Sequence, residues 1–404
     1  MTGALVLRNV RPWGADATDV LMADGAIVGI APGLDAGEAP QLDGGGALLV
    51  PSLVDAHMHL DKTLWGQPWQ AHRAGPSREA RIAADLEMRL LMQDSIAERA
   101  GALVCQAISM GTGHIRSHVD VEPELGLKHV DALLAVREAF ADRIDIQLIA
   151  FPQFGLITNP GTAAVMAGAL DAGVEVVGGI DPSSIDGDRA GQLDTVFGLA
   201  DKKAAMIDIH LHEMGDEGAL SMEMICERTR ALGMAGRVAI SHAFCLGSVD
   251  AARRGRLINA LAEAGVAIIT YAPGASPVPP VKDLHKAGVI VAVGSDGVRD
   301  TWTPYGNADM LARAMMLAYR SGFRRDVDIE LALRVVAEGG AQVLGLAAHE
   351  LKAGSPADLM AVPAETVAEA VCCHPAERLV LKGGRVIFDS LLSNPPVPSL
   401  SLNE

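Results

Sequence analysis

Short apolar runs punctuate the chain, and the spacing between them changes along its length. Residues 4–10, 25–30 and 46–50 are strand-like runs separated by Ala-Asp-Gly turns. That alternation predicts short antiparallel strands. Residues 357–362 and 379–388 repeat the texture, the second as a hairpin around Gly383-Gly384. A small β-sandwich domain built from both termini, 1–50 plus 353–390, is the economical reading. Between them the apolar runs alternate with longer helical segments, the pattern of βα units around a parallel sheet. Eight strands are predicted, over 53–60, 113–121, 145–152, 174–180, 206–211, 237–243, 266–272 and 289–295. Helical periodicity fills 77–110, 128–141, 217–233 and 307–320. Eight such units over 51–352 match a TIM (β/α)8 barrel. A doubly wound open sheet needs a Gly-rich phosphate loop after its first strand. Here that strand ends in His57-Met58-His59. The Pro- and Ser-rich segment 391–404 is expected to be a weakly ordered tail.

Composition narrows the function classes. At 50% hydrophobic and 21% charged, the 404 residues fit a folded globular chain. A net charge of −17 leaves no basic surface for nucleic acid or an acidic membrane. No apolar run reaches the ~18 residues that span a bilayer, and no basic segment followed by an apolar one marks a secretory start. Cys105, Cys226, Cys245, Cys372 and Cys373 form an odd, scattered set, read as reduced thiols of a cytoplasmic protein. Cys372-Cys373 lacks the CxxC spacing of a zinc or redox motif and is read as structural.

In such a barrel the strand C-termini build the active site. Strand 1 ends in Asp55-Ala56-His57-Met58-His59-Leu60-Asp61-Lys62. Residues two apart share a face, so His57 and His59 both address the barrel mouth. Strand 5 ends in Asp208-Ile209-His210-Leu211-His212-Glu213, strand 6 in Ser241-His242 and strand 8 in Ser295-Asp296. Three imidazoles and a carboxylate suit one zinc or iron ion with a position left for water. The metal set read here is His57, His59, His210 and Asp296. A bound ion brings the pKa of water to about 7. Glu213, just past strand 5, is placed to relay a proton; its plainer role is to cap the next helix. His242 is either a ligand or a neighbour that steadies the attacking oxygen, and the second role is assigned because four ligands are already present. Gln153 can donate and accept, matching a cyclic –NH–C(=O)– edge. Trp302 can stack on a planar ring. His118 ends strand 2 near the site without an assigned role. His212, in the loop past strand 5, is read as pointing away from His210. His72, His114, His129, His285, His349 and His374 are read as surface or packing residues.

Together these motifs resemble the amidohydrolase superfamily, and within it the cytosine deaminase-like branch. The residues that carry the likeness are His57-Met58-His59-Leu60-Asp61, His118-Val119-Asp120-Val121, Phe151-Pro152-Gln153, His210 with Glu213, Ser241-His242, and Asp296 with Trp302, Pro304 and Gly306. Phe151-Pro152-Gln153 and Glu213 are shared with cytosine deaminases. The runs 177–182 and 241–245, and Ser295-Asp296 with Arg299, Asp300 and Trp302, are similar to N-isopropylammelide amidohydrolases. The resemblance implies a one-metal hydrolytic deaminase of a cyclic amidine, cytosine-like in the first instance. N-substituted aminotriazines, creatinine-type rings and ring-opening hydrolysis are the alternatives. It implies that His57, His59, His210 and Asp296 bind the metal, Glu213 moves the proton, His242 and Asp296 orient the attacking oxygen, and Gln153 holds the ring. Two-metal relatives carry a modified lysine at the end of strand 4, where this chain has Asp181. Cytosine deaminases carry a second aspartate after the metal aspartate, where this chain has Gly297. A small cyclic substrate is the expected partner, with self-assembly left open.

Overall fold

The structure, a computed structural model, describes residues 3–75, 78–92 and 94–392. It divides into two compact units, Leu53–His349 and the pair Met1–Ser52 with Glu350–Glu404. The expected boundaries, after residues 50 and 352, lie within three residues of these. Apart from Leu391 and Leu392, the expected tail 391–404 lies outside the described residues.

The larger unit is a barrel of eight parallel strands in chain order. They run Leu53–Met58, Thr112–Asp120, Asp145–Phe151, Val176–Ile180, Met206–His210, Val238–Ser241, Val266–Thr270 and Val291–Val293. All eight predicted strands are present, trimmed by one to three residues at most of their ends. Strands 4 to 8 are mostly buried Val, Ile and Ala, as strands covered on both faces must be. Val54, Ala56, Ala239, Ala267, Ile269 and Ala292 pack with Ala341, Val343 and Leu344 in one apolar cluster. Small residues dominate it because the interior of a closed barrel is narrow.

One expected helix is corrected. The span 77–110 is two helices, Arg78–Leu91 and Ile96–Ser109. Ser95 starts the second with a capping box: its Oγ accepts from Glu98 N, and Glu98 Oε2 accepts from Ser95 N at 2.7 Å. The apolar periodicity runs through this break and hides it. Helices Lys128–Phe140, Gly215–Ala231 and Met310–Arg320 occupy the other expected positions.

The terminal unit is a mixed, mainly antiparallel sheet. Its core is Leu7, Val10, Val20, Met22, Ile27, Leu49, Leu359 and Leu379 with their neighbours. The hairpin Leu379–Lys382 and Arg385–Asp389 turns at Gly383-Gly384. Two of its strands, Thr18–Ala23 and Gln41–Asp43, were not foreseen. Among the described residues no helix is long and apolar enough to cross a membrane. The five cysteines are free, and burial pushes the Cys226 and Cys245 thiols up to about 12.

The seam between strands 1 and 8 closes the barrel. Met58 and Asp296 form a parallel bridge, and Asp296 N donates to His57 O at 2.8 Å. Gly294 permits this approach: a Cβ there would lie 2.4 Å from both Cβ and O of His57. Gly294→Ala is therefore expected to destabilise the protein by about 1–3 kcal/mol, the usual overpacking cost. A denaturant midpoint equal to that of the unaltered protein would show that the seam yields freely.

Candidate functional site

Six of the predicted polar positions converge at the C-terminal end of the barrel. The His57 ring centroid lies 4.3 Å from His118, 4.6 Å from His210, 4.9 Å from His242 and 5.4 Å from His59. His57, His59, His118 and His210 each offer a nitrogen within 4.8 Å of the others, and so do His57 and His242 with a carboxylate oxygen of Asp296. Asp296 Oδ1 stands 3.4 Å from His57 Nε2 and 3.3 Å from His59 Nε2. Donors about 2.1 Å from a tetrahedral ion stand about 3.4 Å apart, so the spacing fits a shared cation. His57 Nε2, His59 Nδ1, His210 Nδ1 and both ring nitrogens of His118 and His242 are buried without a hydrogen-bond partner among the described residues. Orphaned acceptors in such number are what a cation site looks like without its ion.

The His57 tautomer follows from its neighbours. Ser241 Oγ donates to Asp208 Oδ1 at 2.7 Å, so toward His57 Nδ1, 2.8 Å away, it acts as acceptor. The proton then sits on Nδ1 and the Nε2 lone pair faces the cluster. Asp208 is held in turn by the wholly buried Arg116, at 3.5 Å. Burial keeps the His59, His118, His210 and His242 imidazoles below their usual range, hence neutral and able to ligate. Burial pushes the Asp296 carboxyl up, but the close imidazoles of His57, His59 and His242 override it and hold the group well below the carboxylate range. Left-handed backbone marks the rim, at Asp181 (φ 36°), His242 (φ 71°) and Asp296 (φ 60°).

The other expected residues are engaged in ways the sequence did not show. Glu213 Oε1 accepts from Ser183 N and Ser184 N at 2.7 and 2.8 Å, and its Oε2 accepts from Ser221 Oγ at 2.6 Å. It does not cap the following helix, whose cap is Met214. Gln153 Oε1 accepts from Lys62 Nζ at 2.6 Å, and Lys62 also pairs with Asp120 at 3.0 Å. Lys62 lies over the rings of Phe151 and Trp302. His212 departs from expectation: Asp181 takes its N–H and its Nδ1, and the ring stacks on His242 at 4.2 Å. A separation of two residues keeps His212 on the side of His210, and their ring centroids lie 5.6 Å apart. Sequence reasoning left His118 without a role, and it missed Lys62 and Asp300 although both lie inside its quoted motifs. Burial pushes the Asp300 carboxyl up to about 7, with Asp296 adding to the shift.

With this geometry in view, residues 42–388 match the family model described as amidohydrolase family. The chain belongs to the amidohydrolase family. These are hydrolases of carbon–nitrogen bonds, and the barrel, the histidines and Asp296 are in keeping. Among solved structures, this amidohydrolase is similar to N-isopropylammelide isopropylaminohydrolase from Burkholderia multivorans, at 43% identity and a TM-score of 0.93, covering 96% of this chain and 99% of that one. It is also similar to 5-methylcytosine deaminase from Klebsiella pneumoniae liganded with phosphonocytosine, at 28% and 0.84, covering 95% and 98%. A curated relative, N-isopropylammelide isopropyl amidohydrolase of Pseudomonas sp. strain ADP, is 29% identical over 95% of this chain and 96% of its own length.

Two outcomes follow for the amidohydrolase. Ser241→Ala removes the acceptor that fixes the His57 tautomer. It should weaken divalent metal binding about 10–100-fold, read by competition with a chromophoric chelator; unaltered affinity would refute the orientation argument. In the metal-depleted protein, the unfolded chain takes up the protons of four imidazoles as pH falls below about 6.5, while the folded chain resists. Stability should drop toward pH 5, by up to about 1.4 kcal/mol per pH unit per imidazole. The Asp55, Asp300 and Glu175 carboxyls, raised by burial, act in the opposite sense, gaining stability on acidification, but they are three groups against four. A thermal midpoint that is flat or rises from pH 7 to pH 5 would contradict this.

Proposed function

We propose that this amidohydrolase is a hydrolytic deaminase that releases ammonia or an amine from an aminated cyclic amidine, an aminopyrimidine or aminotriazine. The observation that carries the reading is the 3.4 Å approach of His57 and Asp296 within a cluster of imidazoles whose inward nitrogens lack a hydrogen-bond partner among the described residues. One divalent cation, zinc or iron, is the cofactor of this reading, with His57, His59, His210 and Asp296 as its holders. When bound, such an ion supplies Lewis acidity and a water of lowered pKa. Asp296 takes the proton of the attacking water, for which its ionised carboxylate is suited. His242, neutral and adjacent to Asp296, stabilises the oxygen that develops charge on the ring carbon. Glu213, fixed by three donors, relays the proton to the ring nitrogen and the leaving amine. Gln153 and Trp302 hold the ring. Asp181 at the end of strand 4, in place of a lysine, supports a single ion and disfavours ring-opening hydrolysis.

Gly297 argues against cytosine as the preferred substrate. The 43% likeness to an N-isopropylammelide-acting enzyme places N-alkylamino-oxotriazines first in a test panel with cytosine and creatinine. The expected outcome is release of ammonia or alkylamine from at least one ring, abolished by chelation and restored by about one metal ion per chain. Release from none of them would overturn the reading. Glu213→Gln should lower kcat by about 10²–10⁴-fold. Unchanged kcat with reduced thermal stability would make Glu213 an anchor of the 183–184 loop instead.

A further inference from the structure

The substrate-facing polarity of the site is divided between two residues. A ring –NH–C(=O)– edge needs a donor for its oxygen and an acceptor for its N–H. A free glutamine amide offers both. Gln153 does not, because its Oε1 is committed to the buried Lys62 ammonium at 2.6 Å. Its NH2 group, with no partner among the described residues, remains as a donor. The acceptor must come from elsewhere.

Gly297 shows where. A Cβ at that position would lie 2.2 Å from Asp300 Oδ2, so the Asp300 carboxylate fills the space in which any side chain at 297 would begin. Asp300 is 3% exposed. Its Oδ1 accepts from Trp302 N and Thr303 N, both at 2.8 Å, which fixes the carboxylate's direction. Its Oδ2 takes no hydrogen bond among the described residues. A carboxylate oxygen without a protein donor is open to accept from a ligand N–H. Asp300 lies close enough to Asp296 and Lys62 to feel both charges, and it lines an open cleft with Leu64, Trp69, Arg299 and Pro304.

We propose that Asp300, through the space left by Gly297, accepts a ring N–H of the substrate while Gln153 donates to the adjoining carbonyl. The pair selects an oxo ring with an –NH–C(=O)– unit over fully aminated or N-alkylated rings. This rests on the deaminase reading for its substrate class, and its test is independent of turnover.

Binding of uracil and of 1,3-dimethyluracil is measured by calorimetry at pH 7.5 on the metal-loaded protein and on Asp300→Asn. Asparagine keeps an oxygen for Trp302 N and Thr303 N and turns the other atom into a donor, so the loop is retained; circular dichroism and metal content check this. The unaltered protein should bind uracil about 10–100-fold more tightly than the dimethylated ring, the worth of a hydrogen bond to a charged group. Asp300→Asn should lose that preference. Equal affinity for the two rings, binding of neither, or an undiminished preference in Asp300→Asn would each overturn the proposal, the last showing that the methyl groups are excluded by shape. Should the variant misfold, Gly297→Ala, whose new methyl group must displace Asp300 Oδ2, should abolish the preference in the same way. A ring preference without deamination of any panel member would leave Asp300 in this role and sink the deaminase reading alone.

Discussion

The site depends on the closure of the barrel between its first and last strands. Asp296 N donates to His57 O, while Asp55 Oδ1 accepts from Ser295 N at 2.9 Å and from His57 N at 3.3 Å. Each bond contributes only about 1 kcal/mol net. Their larger effect is positional, because a metal site tolerates displacements of only about 0.5 Å in its ligands. The chain therefore uses glycine at 294, where a methyl group would push strand 8 away from His57. Asp55 is buried and its carboxyl is pushed up. Closure thus rests on a carboxyl group in the barrel wall that binds backbone N–H groups of both strands.

A second layer of constraint holds the imidazoles in a usable state. Neutral histidines buried with orphaned nitrogens are unfavourable unless something accepts their lone pairs. The protein orients them instead of satisfying them. Arg116, Asp208 and Ser241 form a buried line that ends on His57 Nδ1. The same logic governs Asp61, which accepts from Asp120 N and from His129 Nδ1 and so ties the loop after strand 1 to strand 2 and the helix behind it. His129, read from sequence as packing or surface, thus acts on the loop that carries His59 and Lys62.

Much of this was legible in the sequence because closed parallel barrels write it plainly. Apolar runs give the strands, and polar residues at the run ends give the rim. That is why His57, His59, His210, His242 and Asp296 could be assembled without coordinates. What was not legible depends on pairings across the fold. His118 sits in a strand buried throughout, and nothing local separates an inward histidine aimed at a cation from one in the core. His212 lies two residues past the end of strand 5, and the Asp181 contacts that hold it are not readable from spacing. Glu213 is met by Ser183, Ser184 and Ser221, which no spacing rule connects to it. The helix start at Ser95 was legible from Ser95 and Glu98, yet was overridden by a continuous apolar stripe. Short strands such as Gln41–Asp43 carry too few residues for an alternation to register.

The polar wall beside the cation site explains how one barrel supports discrimination among similar rings. Imidazoles and a carboxylate that hold an ion make no distinction between ring edges. Lys62 does, because its ammonium is pinned between Asp120 and Gln153 and so fixes which end of the Gln153 amide faces it. Rotating that amide would set its NH2 group against the ammonium and lose a charge-assisted bond of about 1.5–3 kcal/mol, or roughly 10–150-fold in population. The donor direction of Gln153 is therefore a property of the folded chain, set before any ligand arrives. Asp300 is held just as firmly by Trp302 N and Thr303 N. A wall whose donor and acceptor are both fixed cannot adapt to a ring of reversed polarity, and an amide free to turn could.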